Sequence, residues 1–330
     1  MKRWVKILIP SLLLTAGVVI CALRWQAWFG MPAEPQWTGD PIDYVFPTFA
    51  QDTVPGFVYS KDGWIDTVSP LSLDLILLGD IHNRLSREDY DSLAARVPEA
   101  DAVVQVGDWM HRGQNYYRQL LLREWTASQL CGLPVINCPG NHEYSKGIRK
   151  TLSPVWSETF PQPCNGPEGV PGKHYYVDFR HLRYIVIDSN PLVRLVYLTR
   201  TLTWLREAMS TAGDRYVVVM MHHPVLSVAK GRFNSLIYAT FRHALSEVDL
   251  AVAGHDHSYM RRTPFVVLNT AGKPKPQRER LIADKTDSIP VYGVLSVGNP
   301  QSSNHQPSME FRVFSLQGGE LLDSLYVHHD

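Results

Sequence analysis

The chain has 330 residues, of which 45% are apolar, enough for one large or two small domains with a well-buried core. Lys and Arg together number 32, and Asp and Glu together also number 32. The chain therefore has no net charge that would attract it to nucleic acid or to an anionic surface. Binding of a polyanionic partner therefore requires positive charge at the binding site itself. The 13 histidines, several of them in short clusters, indicate that metal ions supply it.

The N-terminus has the pattern of a membrane anchor. Basic residues dominate residues 1–6, and Ile7–Leu23 then carries no charge. This run is near the lower limit of about 17 residues for a spanning helix. A small-x-small cleavage site is only poorly formed around Cys21, which favours a signal anchor at residues 1–25 over secretion after cleavage. The positive-inside rule then places the N-terminus in the cytoplasm and the domain in the periplasm or at the cell surface.

The rest of the chain divides into a tether and one domain. Residues 26–70 mix Pro, Gly, Trp and Asp without a clear period, so they are predicted to lie across the surface of a domain at residues 71–330. Within that domain, Cys131 and Cys138 are close enough in sequence for a disulfide, which would leave Cys164 alone. Buried free thiols are an equal alternative.

From residue 73, short apolar runs alternate with segments of helical spacing. The first of these are predicted strands at residues 73–78, 102–106 and 134–137, with helices at residues 87–97 and 116–130. Nearly continuous apolar strands indicate a sheet that is buried on both faces, with parallel or mixed strands and with helices outside.

The second half repeats the alternation and then becomes rich in strands. A hairpin is predicted around Arg180 and His181. The basic segment at residues 273–285 could contact phosphate, but its composition favours a solvated loop. The predicted strands are at residues 175–179, 182–187, 216–221, 250–253, 259–265, 291–297, 310–315 and 321–327, and the predicted helices at 201–209 and 236–245.

Five of the predicted buried strands end in residue types that bind metals. The five groups are Gly79-Asp80-Ile81-His82, Gly107-Asp108, Gly140-Asn141-His142-Glu143, His222-His223-Pro224 and Gly254-His255-Asp256-His257. Each group alone is a weak signal, because Asp, Asn and His are common in turns. Ligands of open α/β sheets bind beyond the carboxyl ends of the strands, so the five turns are predicted to meet in one crevice.

In this order the groups resemble the signature of the calcineurin-like metallophosphoesterases: Asp-x-His, Gly-Asp, Gly-Asn-His-Asp/Glu, a later His, and Gly-His-x-His. The resemblance runs from Asp80 to His257, more than half of the chain. It implies an α/β (α+β) fold, a mixed β-sandwich flanked by helices in four αββα layers. It also implies hydrolysis of phosphomonoesters or phosphodiesters by metal-activated hydroxide.

The resemblance further implies a role for each residue. It assigns one metal ion to Asp80, His82 and His257, a second to Asn141, His222 and His255, a bridging position to Asp108, and the protonation of the leaving oxygen to His142. Nitrogen and oxygen ligands without thiolate suit Mn, Fe or Zn and do not choose among them.

Some neighbours of these groups are further candidates. Arg84 and Arg112 are candidates for binding phosphate oxygens, and Glu143 and His223 for orienting ligands. The run His255–Tyr259 resembles the purple acid phosphatase-like branch, as do the two arginines that follow it. That branch has a tyrosine ligand three residues after the bridging Asp, where this chain has His111, and it lacks the histidine of the first group, here His82. The sequence therefore predicts no tyrosinate colour.

Two other functions stay open. A nuclease-type phosphodiesterase is disfavoured by the neutral charge and by the lack of a basic, aromatic-rich groove, so a phosphorylated substrate rather than nucleic acid is the expected partner. A catalytically silent metal-binding interaction domain is expected to lose ligands or the acid, and every position is filled. Specificity is expected in the loops at residues 144–172 and 225–235. The sequence does not indicate an oligomeric state.

Overall fold

The computed structural model of the protein describes residues 57–60, 63–66, 72–82, 84–110, 133, 135–144, 152, 163, 165–170, 173–193, 195–232, 235–278, 285–298 and 307–328. The predicted anchor and the predicted helix at residues 116–130 lie outside these ranges and stay predictions, and His111, Arg112, Cys131 and Cys164 also fall outside them. Every helix within the described ranges is too short or too polar to cross a membrane.

The described elements are fifteen strands and three α-helices. The strands are β1 Phe57–Ser60, β2 Gly63–Asp66, β3 Ser72–Leu78, β4 Ala102–Gln105, β5 Val135–Asn137, β6 Tyr175–Asp178, β7 Leu182–Ile187, β8 Tyr216–Met221, β9 Leu250–Ala253, β10 Tyr259–Arg262, β11 Phe265–Val267, β12 Lys285–Asp287, β13 Val291–Gly298, β14 Ser308–Ser315 and β15 Leu321–Val327. The helices are α1 Arg87–Arg96, α2 Leu195–Ser210 and α3 Ser235–Leu245, with a short 3-10 turn at Pro191–Val193.

Two mixed sheets form the centre of the molecule. One has six strands in the order β15-β14-β13-β3-β4-β5, and the other has seven in the order β12-β10-β11-β9-β8-β7-β6. Strands β3, β4 and β5 run parallel to one another in the first sheet, as do β7, β8, β9 and β11 in the second. Each parallel group therefore presents its carboxyl ends at one edge of its sheet.

Alternation of side chains along the strands explains the layers. Leu75 and Leu77 of β3 face Val218 and Met220 of β8 in the core between the sheets. The intervening residues of β3 pack under α1, and those of β8 pack under α2 and α3. The central parallel strands β3, β4, β5, β7, β8 and β9 are buried on both faces, and they are the nearly continuous apolar runs of the sequence. The predicted four-layer α/β sandwich is confirmed.

The helices begin and end where local chemistry allows. Ser86 caps α1: its hydroxyl accepts from Asp89 N at 3.2 Å, and the Asp89 carboxylate accepts from Ser86 N at 2.7 Å. Helix α2 starts at Leu195, six residues before the predicted start, because buried Tyr197 and Leu198 continue the apolar stripe towards the N-terminus.

Two predicted elements differ from the structure. The predicted strand at residues 259–265 is two antiparallel strands, β10 and β11, with Thr263 and Pro264 in the turn between them. Proline has no N–H for a sheet hydrogen bond, so the run turns there. The tether at residues 26–70, in which no element was predicted, contains the hairpin of β1 and β2, and β2 lies beside β6.

Candidate metal centre

All five predicted groups lie at the carboxyl ends of parallel strands, after β3, β4, β5, β8 and β9. Backbone hydrogen bonds join the turns to one another. His82 N donates to Asp108 O at 2.9 Å, and Gly254 N donates to His222 O at 3.0 Å. Because these turns come from both sheets, the site lies where the two sheet edges meet.

Glycine allows the turns to approach this closely. A Cβ on Gly140 would overlap the backbone nitrogen and the carboxylate of Asp108. Gly107 has a φ of +88°, and a Cβ there would lie 2.5 Å from His222 Nδ1. Glycine is therefore required at both positions by space, and at Gly107 also by conformation.

The backbone of the site is in an unusual conformation. The non-glycine residues with positive φ in the described part of the chain are Asp80 (52°), His82 (51°), Asp108 (54°), His255 (71°) and His257 (52°). All five were predicted as metal ligands. Left-handed backbone costs a non-glycine residue about 1–2 kcal/mol, and such residues cluster at functional sites.

Four side chains form a first cluster: Asp80, His82, Asp108 and His257 each place one potential ligand atom within 4.8 Å of the others. His82 Nε2 lies 3.8 Å from Asp80 Oδ1 and 3.7 Å from Asp108 Oδ2. His257 Nε2 lies 3.5 Å from Asp80 Oδ1. All four side chains are buried.

A second cluster shares Asp108 with the first. Asp108 Oδ1 lies 3.3 Å from His222 Nε2, which in turn lies 3.3 Å from His255 Nδ1. Asn141 Oδ1 is also 3.3 Å from His222 Nε2. The two oxygens of Asp108 therefore face different clusters, as expected of a carboxylate that bridges two ions.

Hydrogen bonds to backbone carbonyls orient three of the imidazoles. The Nδ1 atom of His82 faces Met110 O at 3.1 Å, that of His222 faces Val106 O at 2.9 Å, and that of His257 faces Lys273 O at 2.8 Å. A carbonyl only accepts, so Nδ1 carries the proton in each ring. In the neutral rings, the Nε2 lone pairs then point into the clusters.

Burial controls protonation in the first cluster. It lowers the pKa of His82 to about 4 and, together with Lys275, lowers that of His257 to about 3. Both rings are therefore neutral near pH 7, the form in which imidazole binds metal. Burial and the Asp108 carboxylate raise the pKa of Asp80 to about 8.

The second cluster has a different balance. Burial disfavours a charge on His222, but Asp108 raises the pKa of its ring to about 9. Although burial also disfavours a charge on Asp108, the surrounding imidazoles hold the pKa of that carboxyl well below its usual range. Negative charge on Asp108 is thus compensated by positive charge close by.

These residues fit bound cations. Asp80 Oδ1 is buried and has no hydrogen-bond partner among the described residues. His82 Nε2 and His257 Nε2 are 3.0 Å apart, with neutral lone pairs facing each other. Buried acceptors that face one another without a proton are costly unless a cation lies between them. Nitrogen and oxygen donors of this kind suit Mn, Fe or Zn.

His142 lies beside the clusters and is more exposed than their members. Its Nε2 atom is 3.8 Å from Asp108 Oδ2, and 32% of its side chain is exposed. The backbone N of His142 donates to Asp108 Oδ1 at 2.9 Å, which fixes the turn that carries the ring. The ring is therefore placed between the bridging carboxylate and solvent, where a substrate would enter.

Glu143 supports the site from behind. Its buried carboxylate accepts from the backbone N of Asp108 at 3.0 Å, of Met110 at 3.2 Å and of Gly140 at 2.6 Å. Burial and Asp108 raise the pKa of Glu143 to about 8. The Glu143 side chain, which was predicted to orient ligands, thus links the turn after β4 to its own turn after β5.

The other candidates have different surroundings. The His223 ring lies 4.3 Å from the ring of His255, and its Nδ1 is 2.7 Å from Ser189 Oγ. The exposed Arg84 donates from Nη1 to Ala271 O at 3.0 Å, so it braces a loop beside the site.

Several supporting groups were not found from the sequence. Thr270 Oγ1 accepts from Gly79 N at 2.9 Å, and Lys273 orients His257 through its backbone carbonyl. A backbone carbonyl leaves no residue-type signal. Lys275, interpreted as part of a solvated loop, is half-buried and donates from Nζ to His255 O at 3.3 Å. The signal in the sequence that could have identified Lys275 was the basic character of residues 273–285.

The chain is similar in sequence to a phosphodiesterase. It is 28% identical over 169 residues to the glycerophosphodiester phosphodiesterase GpdQ of Enterobacter lignolyticus, a match that spans 48% of this chain and 56% of that protein. The chain thus spans little more than half the length of that relative.

Two solved structures are similar in fold. The purple acid phosphatase PPD1 of yellow lupin has a TM-score of 0.57 at 14% identity, over 77% of this chain and 53% of that one. GAP50, the anchor in the inner membrane complex of Plasmodium, has a TM-score of 0.57 at 15% identity, over 79% and 90%.

A family profile matches the part of the chain that builds the site. The match runs over residues 73–259, from β3 to the start of β10, and includes all five groups of predicted ligands. Since this is more than half of the chain, the protein belongs to the calcineurin-like phosphoesterase family.

Proposed function

We propose that the protein hydrolyses phosphomonoesters or phosphodiesters at a binuclear metal centre. The observation that carries the proposal is the position of Asp108, whose two carboxylate oxygens face two separate clusters of ligands. The similarity to a glycerophosphodiester phosphodiesterase supports phosphoester chemistry.

Two sets of side chains would hold the metal ions. Asp80, His82 and His257 would hold one, Asn141, His222 and His255 the other, and Asp108 would contact both. When bound, two such ions neutralise phosphoryl oxygens and lower the pKa of water towards neutrality. The chain contributes the fixed directions of its lone pairs, because the backbone carbonyls hold the rings in one orientation.

His142 is the general acid in this proposal. Its Nε2 lies next to Asp108, and its ring faces solvent at the open side of the clusters. A proton on Nε2 can pass to the leaving oxygen as the ester bond breaks. His142 belongs to neither set of proposed metal ligands.

We also propose that the domain lies outside the cytoplasm, held by residues 1–25. The basic residues before Ile7–Leu23 support this orientation. A β-lactamase fused after residue 70 is expected to give resistance to ampicillin, and to stay in carbonate-washed membranes. Resistance from a carbonate-soluble fusion would indicate a cleaved signal peptide, and sensitivity would contradict export.

Hydrolysis of nitrophenyl phosphate and bis-nitrophenyl phosphate with added Mn tests the activity. We expect metal-dependent turnover of at least one ester, and a decrease in kcat of roughly 10²- to 10⁴-fold in His142→Ala. The decrease is expected to be larger for phenyl than for nitrophenyl esters, because a poorer leaving oxygen depends more on the proton.

The matched control is His243→Ala, since His243 is 85% exposed on α3. It should keep wild-type turnover, and His142→Ala should keep two metal ions per chain by elemental analysis. Absence of metal-dependent turnover of both esters in a metal-loaded wild type would favour a catalytically silent interaction domain.

A further inference from the structure

Two loops beside the candidate metal centre carry a concentration of positive charge. One follows β8 and the other follows β11. Residues 224–232 and 268–278 contain five cations, Lys230, Arg232, Lys273, Lys275 and Arg278, and no Asp or Glu. The whole chain has zero net charge, so this patch is a local feature at the mouth of the site.

The two loops hold each other in place. Ala229 and Gln277 form an antiparallel bridge, and Lys230 N donates to Pro276 O at 2.8 Å. The buried Asp256 carboxylate fixes the first loop by accepting from Val228 N at 2.6 Å and from Ala229 N at 3.1 Å. We call residues 227–232 and 273–278 the basic ledge. Its cations sit on a braced backbone rather than on a free loop.

Two cations of the ledge are partly buried. Lys275 Nζ lies 3.3 Å from His255 O, and the side chain is half-buried. Arg232 Nη1 is buried and has no hydrogen-bond acceptor in the described part of the chain. A buried N–H group of a cation that lacks a hydrogen-bond acceptor costs free energy.

We propose that Lys275 and Arg232 bind a second anionic group of the substrate, a phosphate or a carboxylate separate from the scissile phosphate. The inference rests on the proposed function and adds a substrate class to it, phosphoesters that carry a further acidic group. Cations placed next to a centre that holds two metal ions repel it. An anion that lies between the two removes this repulsion and gives Arg232 an acceptor.

Three non-hydrolysable ligands with the same three-carbon chain test the proposal: propylphosphonate, 3-phosphonopropionate and propane-1,3-diphosphonate. Their dissociation constants are measured by calorimetry on the Mn-loaded protein, with free Mn held constant. We expect at least one doubly acidic ligand to bind roughly 10- to 100-fold more tightly than propylphosphonate, as charge-assisted hydrogen bonds provide. The carboxylate and phosphonate arms show which acid is preferred.

Variants separate binding from bracing. Lys275→Gln and Arg232→Gln are expected to bring the preference below about threefold, whereas Lys275→Arg keeps the charge and most of the preference. Arg180→Gln is the matched control, because exposed Arg180 lies in the turn before β7, at the amino end of the parallel strands whose carboxyl ends carry the site. It removes the same charge and should leave the preference unchanged.

The outcomes distinguish this inference from the proposed function. Equal affinity for all three ligands in the wild type would overturn the anion site, as would a preference that persists in the Lys275→Gln, Arg232→Gln double variant. A preference that disappears in both variants, in a protein that hydrolyses neither nitrophenyl ester, would support the anion site and contradict only the proposed hydrolysis.

Discussion

At the scale of single residues, backbone strain is concentrated at residues whose side chains would bind metal. Asp80, His82, Asp108, His255 and His257 all have positive φ. These residues lie in the turns after β3, β4 and β9, three of the five turns that carry predicted ligands. Each such position costs roughly 1–3 kcal/mol of backbone strain, and the strained conformation is part of what positions the ligand side chains.

The strain at His82 predicts an unusual order of stability. In EDTA, His82→Gly is expected to be more stable than His82→Ala by about 1 kcal/mol, because glycine adopts a φ of 51° without strain. Urea unfolding followed by circular dichroism measures the difference.

Arg206, exposed within α2, provides the control. There the order should reverse, with Arg206→Gly less stable than Arg206→Ala by about 1 kcal/mol, since glycine weakens a helix interior. If His82→Ala were the more stable of its pair, the strain argument at this position would be wrong.

At the scale of elements, sequence pattern and structure agree where a strand is buried on both faces. Strands β3, β8 and β9 were predicted to within one residue, because an apolar run that ends directly in polar ligand residues leaves few alternatives. The grouping of the ligands was equally predictable, since parallel strands present their carboxyl ends together.

Other elements depended on interactions that the local sequence does not encode. The hairpin of β1 and β2 lies beside β6, a contact over more than 100 residues of chain. Residues 273–278 of the basic ledge were interpreted as part of a solvated loop, because their pairing with residues 228–230 is also non-local. The sequence left contact of this segment with phosphate open but did not place Lys275 beside His255.

At the scale of the whole molecule, a charged group connects the two sheets through β15 and β10. Asp323 of β15 accepts from Tyr259 OH at 2.7 Å and from Arg261 Nε at 2.8 Å, and both donors belong to β10. Burial alone would raise the pKa of Asp323, but Arg261 and Tyr259 lower it overall. The ionised carboxylate therefore stabilises the sandwich.

This contact predicts a pH-dependent stability. Since the folded pKa of Asp323 is lowered, its contribution is complete above the unfolded value of about 3.9 and is lost as the pH falls through the folded value. Asp323→Asn is expected to lower the free energy of unfolding by about 1–2 kcal/mol at pH 7, allowing for partial exposure.

Urea unfolding at pH 7, 5 and 3 measures the gap between wild type and variant, which should be similar at pH 7 and 5 and smaller at pH 3. Asp214→Asn, at an exposed position before β8, should show little loss at any of these values. A gap for Asp323→Asn that does not narrow at pH 3 would contradict an ionic contribution.

The assembly of the site from both sheets has a consequence for biosynthesis. Asp80 leaves the ribosome long before His257 and the carbonyl of Lys273 that orients it, so neither ligand cluster can form until both halves of the domain have been synthesised. Capture of metal must follow the closing of the sandwich. With nitrogen and oxygen donors that do not select strongly among Mn, Fe and Zn, availability in the compartment where folding finishes decides which ions the protein acquires.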